Sequence, residues 1–298
     1  MEKAILLYNP KAGNRQINSQ IDYIAERMQK MGYELRLFRS PAKGSIIEYI
    51  KNYISESNTD LILISGGDGT LNECINGLAQ KQLNIPIAIL PLGTANDFAY
   101  SAHIPNDVAG ALDLIENGEL RYVDIGKVNE LYFVNVCNMG LFSGISHIVD
   151  LELKKKFGKL AYYVKGIEEL QNYQAMQLKV KIHDKIIENE YVLVLIFNGQ
   201  AAGGFTRLAK EANIEDGVFD FIGIKKVEMH EIPMLFLKIL QGEHLNDANI
   251  DYFISDEIDI ECKNEDKQFI TDIDGEEGPD FPLHIKVKKN LIRIYLPK

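Results

Sequence analysis

Cysteine is scarce in this chain of 298 residues: Cys74, Cys137 and Cys262 lie far apart and form no C-x-x-C pair. Neither a disulfide framework nor a zinc site is indicated, and a reducing cytoplasm fits. Basic charge is also in short supply. Lysine and arginine number 32 against 43 aspartates and glutamates, giving a formal net charge of -11. That balance argues against a nucleic-acid protein held by a basic face, because neutralising phosphates requires clustered Lys and Arg. No apolar run is long enough to span a bilayer. The longest stretch without a formal charge, Leu131 to Val149, is interrupted by Asn135, Asn138, Ser143, Ser146 and His147 and holds Gly140 and Gly144. A lipid-spanning helix would not carry that load. Met1 to Ala4 leads into a short apolar segment without a signal-peptide pattern, so a cytoplasmic protein is expected. Internal repeats, low-complexity tracts and long linkers are missing too.

Hydrophobic residues at 46% and charged residues at 25% give the balance of an ordinary globular protein. The length favours two domains. Over the first 125 residues, strand and helix patterns alternate. Ala4 to Tyr8, Leu35 to Phe38, Leu61 to Ile64 and Ile87 to Leu90 read as strands. Between them, Ile17, Ile21, Ile24, Met28 and Met31, then Ile46, Ile50, Tyr53 and Ile54, then Leu71, Cys74, Ile75 and Leu78 recur at helical spacing, with Gly32 as a cap. This is the pattern of a parallel sheet wrapped by helices. After Asp124 short β-rich runs dominate: Tyr132 to Cys137, Leu178 to Ile182, Tyr191 to Phe197, Val218 to Ile224, Ile258 to Ile260, Phe269 to Ile273, His284 to Val287 and Ile292 to Leu296. Helical segments at Leu160 to Leu170 and Glu231 to Leu240 interrupt them. The expectation is an α/β protein: a Rossmann-like, parallel-sheet nucleotide-binding domain over 1–125 and an antiparallel β-sandwich over 126–298, its last strand able to pack back on the first domain.

Three loops at the ends of predicted strands are rich in glycine: NPKAG (Asn9 to Gly13), GGDGT (Gly66 to Thr70) and PLGTANDF (Pro91 to Phe98). In an open parallel sheet they should share one edge, where ligands collect. A glycine turn that leads into a helix offers unpaired N–H donors at the positive end of the helix dipole, a site suited to phosphate. Each loop alone is also explained as an ordinary strand-to-helix turn. G-x-x-x-x-G-K-[ST] is absent, and a G-x-G-x-x-G reading of Gly67 and Gly69 fails at Asn72. Asp68, inside the loop, would repel phosphate unless a cation or a donor hydroxyl stands between them, an arrangement that a magnesium-nucleotide site makes sensible.

GGDGTLNE, PLGTANDFA and the preceding NPKAG resemble the catalytic domain of the diacylglycerol kinase family, which includes sphingosine kinases and bacterial soluble lipid kinases and is distantly similar to NAD kinases. The resemblance continues through VDIGKV, KLAYYVKGI, NIEDGVFD and DIDGEE in family order. It implies ATP and Mg2+ as cofactors, a nucleotide-binding α/β domain, a β-sandwich domain and a cleft between them. It assigns nucleotide binding to Asn9, Pro10, Lys11, Ala12, Gly13, Ser40, Gly66, Gly67, Asp68, Gly69, Thr70, Leu71, Asn72 and Thr94. Asp68, Asp97 and Asp124 match the acidic network around magnesium and the phosphates, and Glu276 matches the general base. Asp216, with the backbone carbonyls of Asn213 and Val218, resembles the structural magnesium site of bacterial members. By spacing alone, Asp216 and Glu276 sit in acid-rich runs that a solvated surface explains as well.

The resemblance implies transfer of the γ-phosphate of ATP to a lipid hydroxyl, with diacylglycerol as acceptor and phosphatidic acid as product. An NAD kinase-like activity on a small molecule and a nucleotide-binding regulator without catalysis are the alternatives. The six histidines have no metal-like spacing. Expected partners are the lipid alcohol and a membrane surface met peripherally from the cytoplasm, with no nucleic acid, and a homodimer is compatible with the reading. Lys154, Lys155, Lys156, Lys159 and Lys165, set among Phe157, Tyr162 and Tyr163, suit an anionic interface; a solvated helix end is the other reading.

Overall fold

The short apolar runs near the N-terminus become the centre of a parallel sheet. The computed structural model describes residues 1–141, 174–203, 207–228, 231–264 and 269–298. They divide into one unit of Met1–Ile125, Ile214–Asp216 and Lys288–Lys298 and a second of Gly126–Asn213 and Gly217–Val287.

In the first unit, β1 (Glu2–Tyr8), β2 (Tyr33–Arg39), β3 (Leu61–Gly66) and β4 (Ile87–Pro91) lie parallel in the order β2-β1-β3-β4. The final strand, β15 (Leu283–Leu296), adds in parallel beside β4, with Ile294 opposite Ile87. Ala4, Ile5, Leu6 and Leu7 are wholly buried, as are Ile62 and Leu63, because helices cover both faces. That double burial is why these strands read as unbroken apolar runs. The cover comes from α1 (Ile21–Lys30), α2 (Ser45–Tyr53) and α3 (Asp68–Lys81). Ile24 and Met28, Ile46 and Ile50, and Cys74, Ile75 and Leu78 are their inward residues. The apolar stripe that begins at Ile17 splits, since Ala12–Ser19 winds as a 3-10 turn before α1 starts. Gly32 follows α1 with φ +89, the left-handed position of a C-terminal glycine. Two more helices complete the unit, α4 (Asp97–Ser101) and α5 (Val108–Asn117), the latter capped by Asp107, whose carboxylate accepts the Gly110 N–H.

The strand order has a functional consequence. From β1 the chain crosses to β2 on one side and then to β3 on the other, so the connections after β1 and β3 leave in opposite directions, the place in an open parallel sheet where ligands collect.

In the second unit the strands are antiparallel. They are β6 (Leu131–Phe133), β7 (Val136–Gly140), β8 (Met176–Ile182), β9 (Lys185–Phe197), β10 (Phe219–Lys225), β11 (Ile250–Ser255), β12 (Glu257–Cys262), β13 (Thr271–Ile273) and β14 (Glu276–Glu277). The long β9 is the hub. One edge pairs with β8 and then β7, and the other with β10. Val194 and Ile196 enter a cluster with Tyr191, Phe219 and Phe221, while Leu193, Leu195 and Phe197 enter another beneath Leu235 of α6 (Ile232–Gln241). Alternate residues of a strand point to opposite faces, so both faces of this sheet are core. The antiparallel, two-cored unit is the β-sandwich that the strand pattern implies.

One expected strand is interrupted. Tyr132 to Cys137 divides into β6 and β7 because the N–H groups of Val134, Asn135 and Val136 all donate to the carboxylate of Asp274. The helix expected at Leu160 to Leu170 lies outside the described residues, and the one at Glu231 to Leu240 is α6.

A carboxylate also joins α3 to α2. Gly44, the N-cap of α2, has φ +80 and brings no side chain to the helix head. Glu73 supplies the acceptors instead: Oε1 takes the Gly44 N–H at 2.8 Å and Oε2 the Ile46 N–H at 3.1 Å. Replacing Glu73 with Ala should therefore act as loss of a helix cap and lower unfolding stability by about 1 kcal/mol. Urea denaturation of the two proteins checks this, and an unchanged midpoint would show the contact to be energetically idle.

Candidate active site

Glycine brings the three loops of the first unit into contact. Gly13 has φ +49, and a Cβ there would stand 1.9 Å from the Leu92 carbonyl oxygen. A Cβ on Gly93 would stand 2.3 Å from the Cα of Gly67, and one on Gly66 would strike the Thr70 side chain. The chain segments after β1, β3 and β4 thus converge on one sheet edge, with backbone in place of side chains where they meet.

Local hydrogen bonds set each loop. Asn9 donates its N–H to the Ser65 carbonyl at 3.0 Å, and its Oδ1 accepts the Lys11 N–H at 2.9 Å, closing an Asn-turn around the buried Pro10. Ser40 joins the same edge through its N–H to the Tyr8 carbonyl at 2.9 Å, while its hydroxyl turns to Ala42 and Ser45. In the third loop Asn96 does the shaping. It adopts φ +54, accepts the Gly93 N–H on Oδ1 at 2.9 Å and donates Nδ2 to the Pro91 and Gly93 carbonyls. Asn96 lies inside PLGTANDF, where the sequence reading names only Thr94 and Asp97. Asparagine's tolerance of left-handed backbone was the available signal.

The head of α3 faces this convergence. Its N-cap, Gly67, offers no side-chain acceptor, so the first N–H groups of the helix carry the positive end of its dipole uncovered. Gly66, Gly67, Asp68, Leu71, Pro91 and Asn96 line a small crevice there. Asp68 occupies the first turn, and its Oδ1 accepts the Phe98 N–H at 3.1 Å, which joins the second loop to the start of α4. Asp97, buried, is the first residue of α4. Thr94 is exposed, Thr70 is buried, and Asn72 points inward with Oδ1 accepting from Asn76 at 3.0 Å.

Asp124 takes another position. It is buried on β5 (Glu119–Val128), and its N–H donates to the Ile214 carbonyl at 2.7 Å. Arg121 pairs with Glu215 at 2.9 Å alongside. The turn that holds Asn213, Asp216 and Val218 reverses at Gly217, φ +78, and Asp216 is exposed on it. Among the described residues, no group of three or more His, Cys, Asp and Glu side chains is placed to hold a metal. A cation at either acidic position would rely on backbone carbonyls or on oxygens of a ligand.

In the second unit, Glu276 follows a tight hairpin. Asp274 and Gly275 have φ +52 and +86, and β14 pairs with β13 through Ile273 opposite Glu276. Cys137 faces this segment across the β13–β7 ladder. Burial, then the nearby Asp272 and Asp274 carboxylates, push its thiol far up, so it stays protonated and is no nucleophile. The lysine patch at 154–156 lies outside the described residues, and among those residues no helix is long and apolar enough to cross a membrane.

Comparison with known proteins agrees with this architecture. Residues 3–128 match the family described as the diacylglycerol kinase catalytic domain, and residues 135–296 match the YegS C-terminal NAD kinase beta sandwich-like domain. The diacylglycerol kinase of Bacillus subtilis (strain 168) is 31% identical over 299 residues, covering 100% of this chain and 97% of the relative. That of Staphylococcus aureus (strain MRSA252) is 31% identical over 296 residues, covering 99% and 93%. The crystal structure of a diacylglycerol kinase from Bacillus anthracis str. Sterne superposes with a TM-score of 0.79 at 29% identity, over 99% of this chain and 97% of that one. The three glycine loops all lie within the matched 3–128 segment, and similarity extends from end to end; the chain belongs to the diacylglycerol kinase family.

Proposed function

We propose that the protein transfers the γ-phosphate of ATP to a lipid hydroxyl, with diacylglycerol as acceptor and phosphatidic acid as product. The observation that carries the reading is the close backbone approach that Gly13, Gly66 and Gly93 allow between the loops after β1, β3 and β4, beside the head of α3, where the N-cap Gly67 brings no side-chain acceptor. The names of the relatives supply the lipid. On this reading Asn9, Gly13, Gly67, Gly69 and Thr70 take the phosphates, and Ser40 and Thr94 lie along the same nucleotide. Magnesium, when bound, neutralises charge on the transferring phosphoryl group. Asp68, which lines the crevice, would hold it, with Asp97 at the start of α4 as the second carboxylate of this reading. The second ion of this proposal, at Asp216 and the carbonyls of Asn213 and Val218, would have an all-oxygen donor set, as a hard cation prefers.

The chain's own work is to bind and orient ATP and to move one proton. The lipid oxygen attacks the γ-phosphorus, the bond to the β-phosphate oxygen breaks, and ADP departs. The hydroxyl proton passes to the carboxylate of Glu276. The enzyme would act as a peripheral protein on the cytoplasmic face of a membrane.

The second family match carries an NAD kinase description, which makes NAD the control acceptor. Incubation with labelled ATP and magnesium should label diacylglycerol in mixed micelles and leave NAD unlabelled. Label on NAD alone would transfer the protein to the small-molecule reading, and label on neither would leave a nucleotide-binding regulator.

Glu276→Gln keeps size and polarity but cannot take the proton. It should lower kcat by ~10²- to 10⁴-fold with little change in the KM for ATP. Steady-state kinetics with varied ATP at fixed lipid measure this; a wild-type kcat would remove Glu276 from the base role.

A further inference from the structure

Glu276 stands on a strand of only two residues, β14, so its own ladder does little to fix it. The hairpin that carries it is held by two carboxylates on alternate residues. At the tip, Asp274 accepts the Val134 N–H on Oδ2 at 2.7 Å and the N–H groups of Asn135 and Val136 on Oδ1 at 2.9 and 3.0 Å. Its own N–H donates back to the Val136 carbonyl at 3.0 Å. Two residues earlier, Oδ1 of the buried Asp272 accepts the Gly275 N–H and the Asn138 Nδ2, both at 2.9 Å. The acidic run that a solvated surface would explain is therefore turned inward at these two positions, against β7 and the break that precedes it.

A general base needs its oxygen held within hydrogen-bond reach of one proton, and such precision comes from the residues behind it. We propose that Asp272 and Asp274 are positioning residues that hold Glu276 for proton transfer, an inference that rests on the reading of Glu276 as the base. Asp274 ties the turn to three consecutive backbone donors, and Asp272 clamps the turn's glycine to Asn138. Neither carboxylate needs to touch substrate to do this.

Asp274→Asn is the discriminating variant. Asparagine accepts the left-handed backbone at the tip, but its amide sets a donor against one of the three N–H groups. Kinetics and melting curves of the wild type, Asp274→Asn, Glu276→Gln and the double variant form the test. If Asp274 acts through Glu276, Asp274→Asn should lower kcat ~10- to 100-fold while the KM for ATP stays within about twofold, and the same change in the Glu276→Gln background should lower kcat by less than about threefold. Equal losses in both backgrounds, or an unchanged kcat in the single variant, would overturn the positioning role and leave the base reading intact. A wild-type kcat for Glu276→Gln would fail the base reading itself, and this inference with it. Should Asp274→Asn not fold, Asn138→Ala removes the clamp on Asp272 and enters the same cycle with the same expectation.

Discussion

A methyl group on Gly93 would stand 2.3 Å from the Cα of Gly67, so the turns after β3 and β4 meet backbone to backbone. The candidate site depends on that contact. Because no side chain stands between the loops, Asn96 can fold the second of them with three hydrogen bonds and Asp68 can reach the Phe98 N–H at the start of α4. Gly13 closes the third side against the Leu92 carbonyl. The cost of flexible residues in the unfolded chain is offset by the fixed surroundings, since the sheet beneath is buried on both faces.

Carboxylates organise much of the rest, and this gives the acidic composition a structural purpose. Glu73 caps α2 from α3, Asp107 caps α5, Asp68 tethers α4, and Asp274 gathers three N–H groups at the break between β6 and β7. Each replaces water at backbone donors that a helix head or an interrupted strand leaves without a partner. A net charge of -11 is thus partly an inventory of backbone acceptors and not only a solvated coat. Function, on the proposed reading, uses the same group in two further ways: Asp68 toward a cation and Glu276 toward a proton.

What the sequence made legible was whatever depends on near neighbours. The parallel strands showed because double burial forces unbroken apolar runs, and the three loops showed because a close backbone approach demands glycine. α5 was missed although Asp107 ahead of Val108, Ala111 and Leu112 carried a cap-and-stripe signal. The split of Tyr132 to Cys137 had no local signal, since its cause, Asp274, is 138 to 140 positions away. The same holds for Glu73, whose partners on α2 precede it by 27 and 29 positions. In DIDGEE, spacing could not separate an inward-turned acid from a solvated one. Asp272 is 3% exposed where Glu277 is exposed, and only tertiary contacts make that distinction.

The central claim is that the glycine convergence is the seat of the nucleotide's phosphates. Calorimetric titration of Gly93→Ala with a non-hydrolysable ATP analogue and magnesium, beside the wild type, tests it most directly, with circular dichroism to confirm the fold. The added methyl group must part the second and third loops, and the account predicts an affinity loss of at least ~10-fold, equivalent to about 1.4 kcal/mol. Wild-type affinity in a folded Gly93→Ala protein would contradict it and place the nucleotide elsewhere.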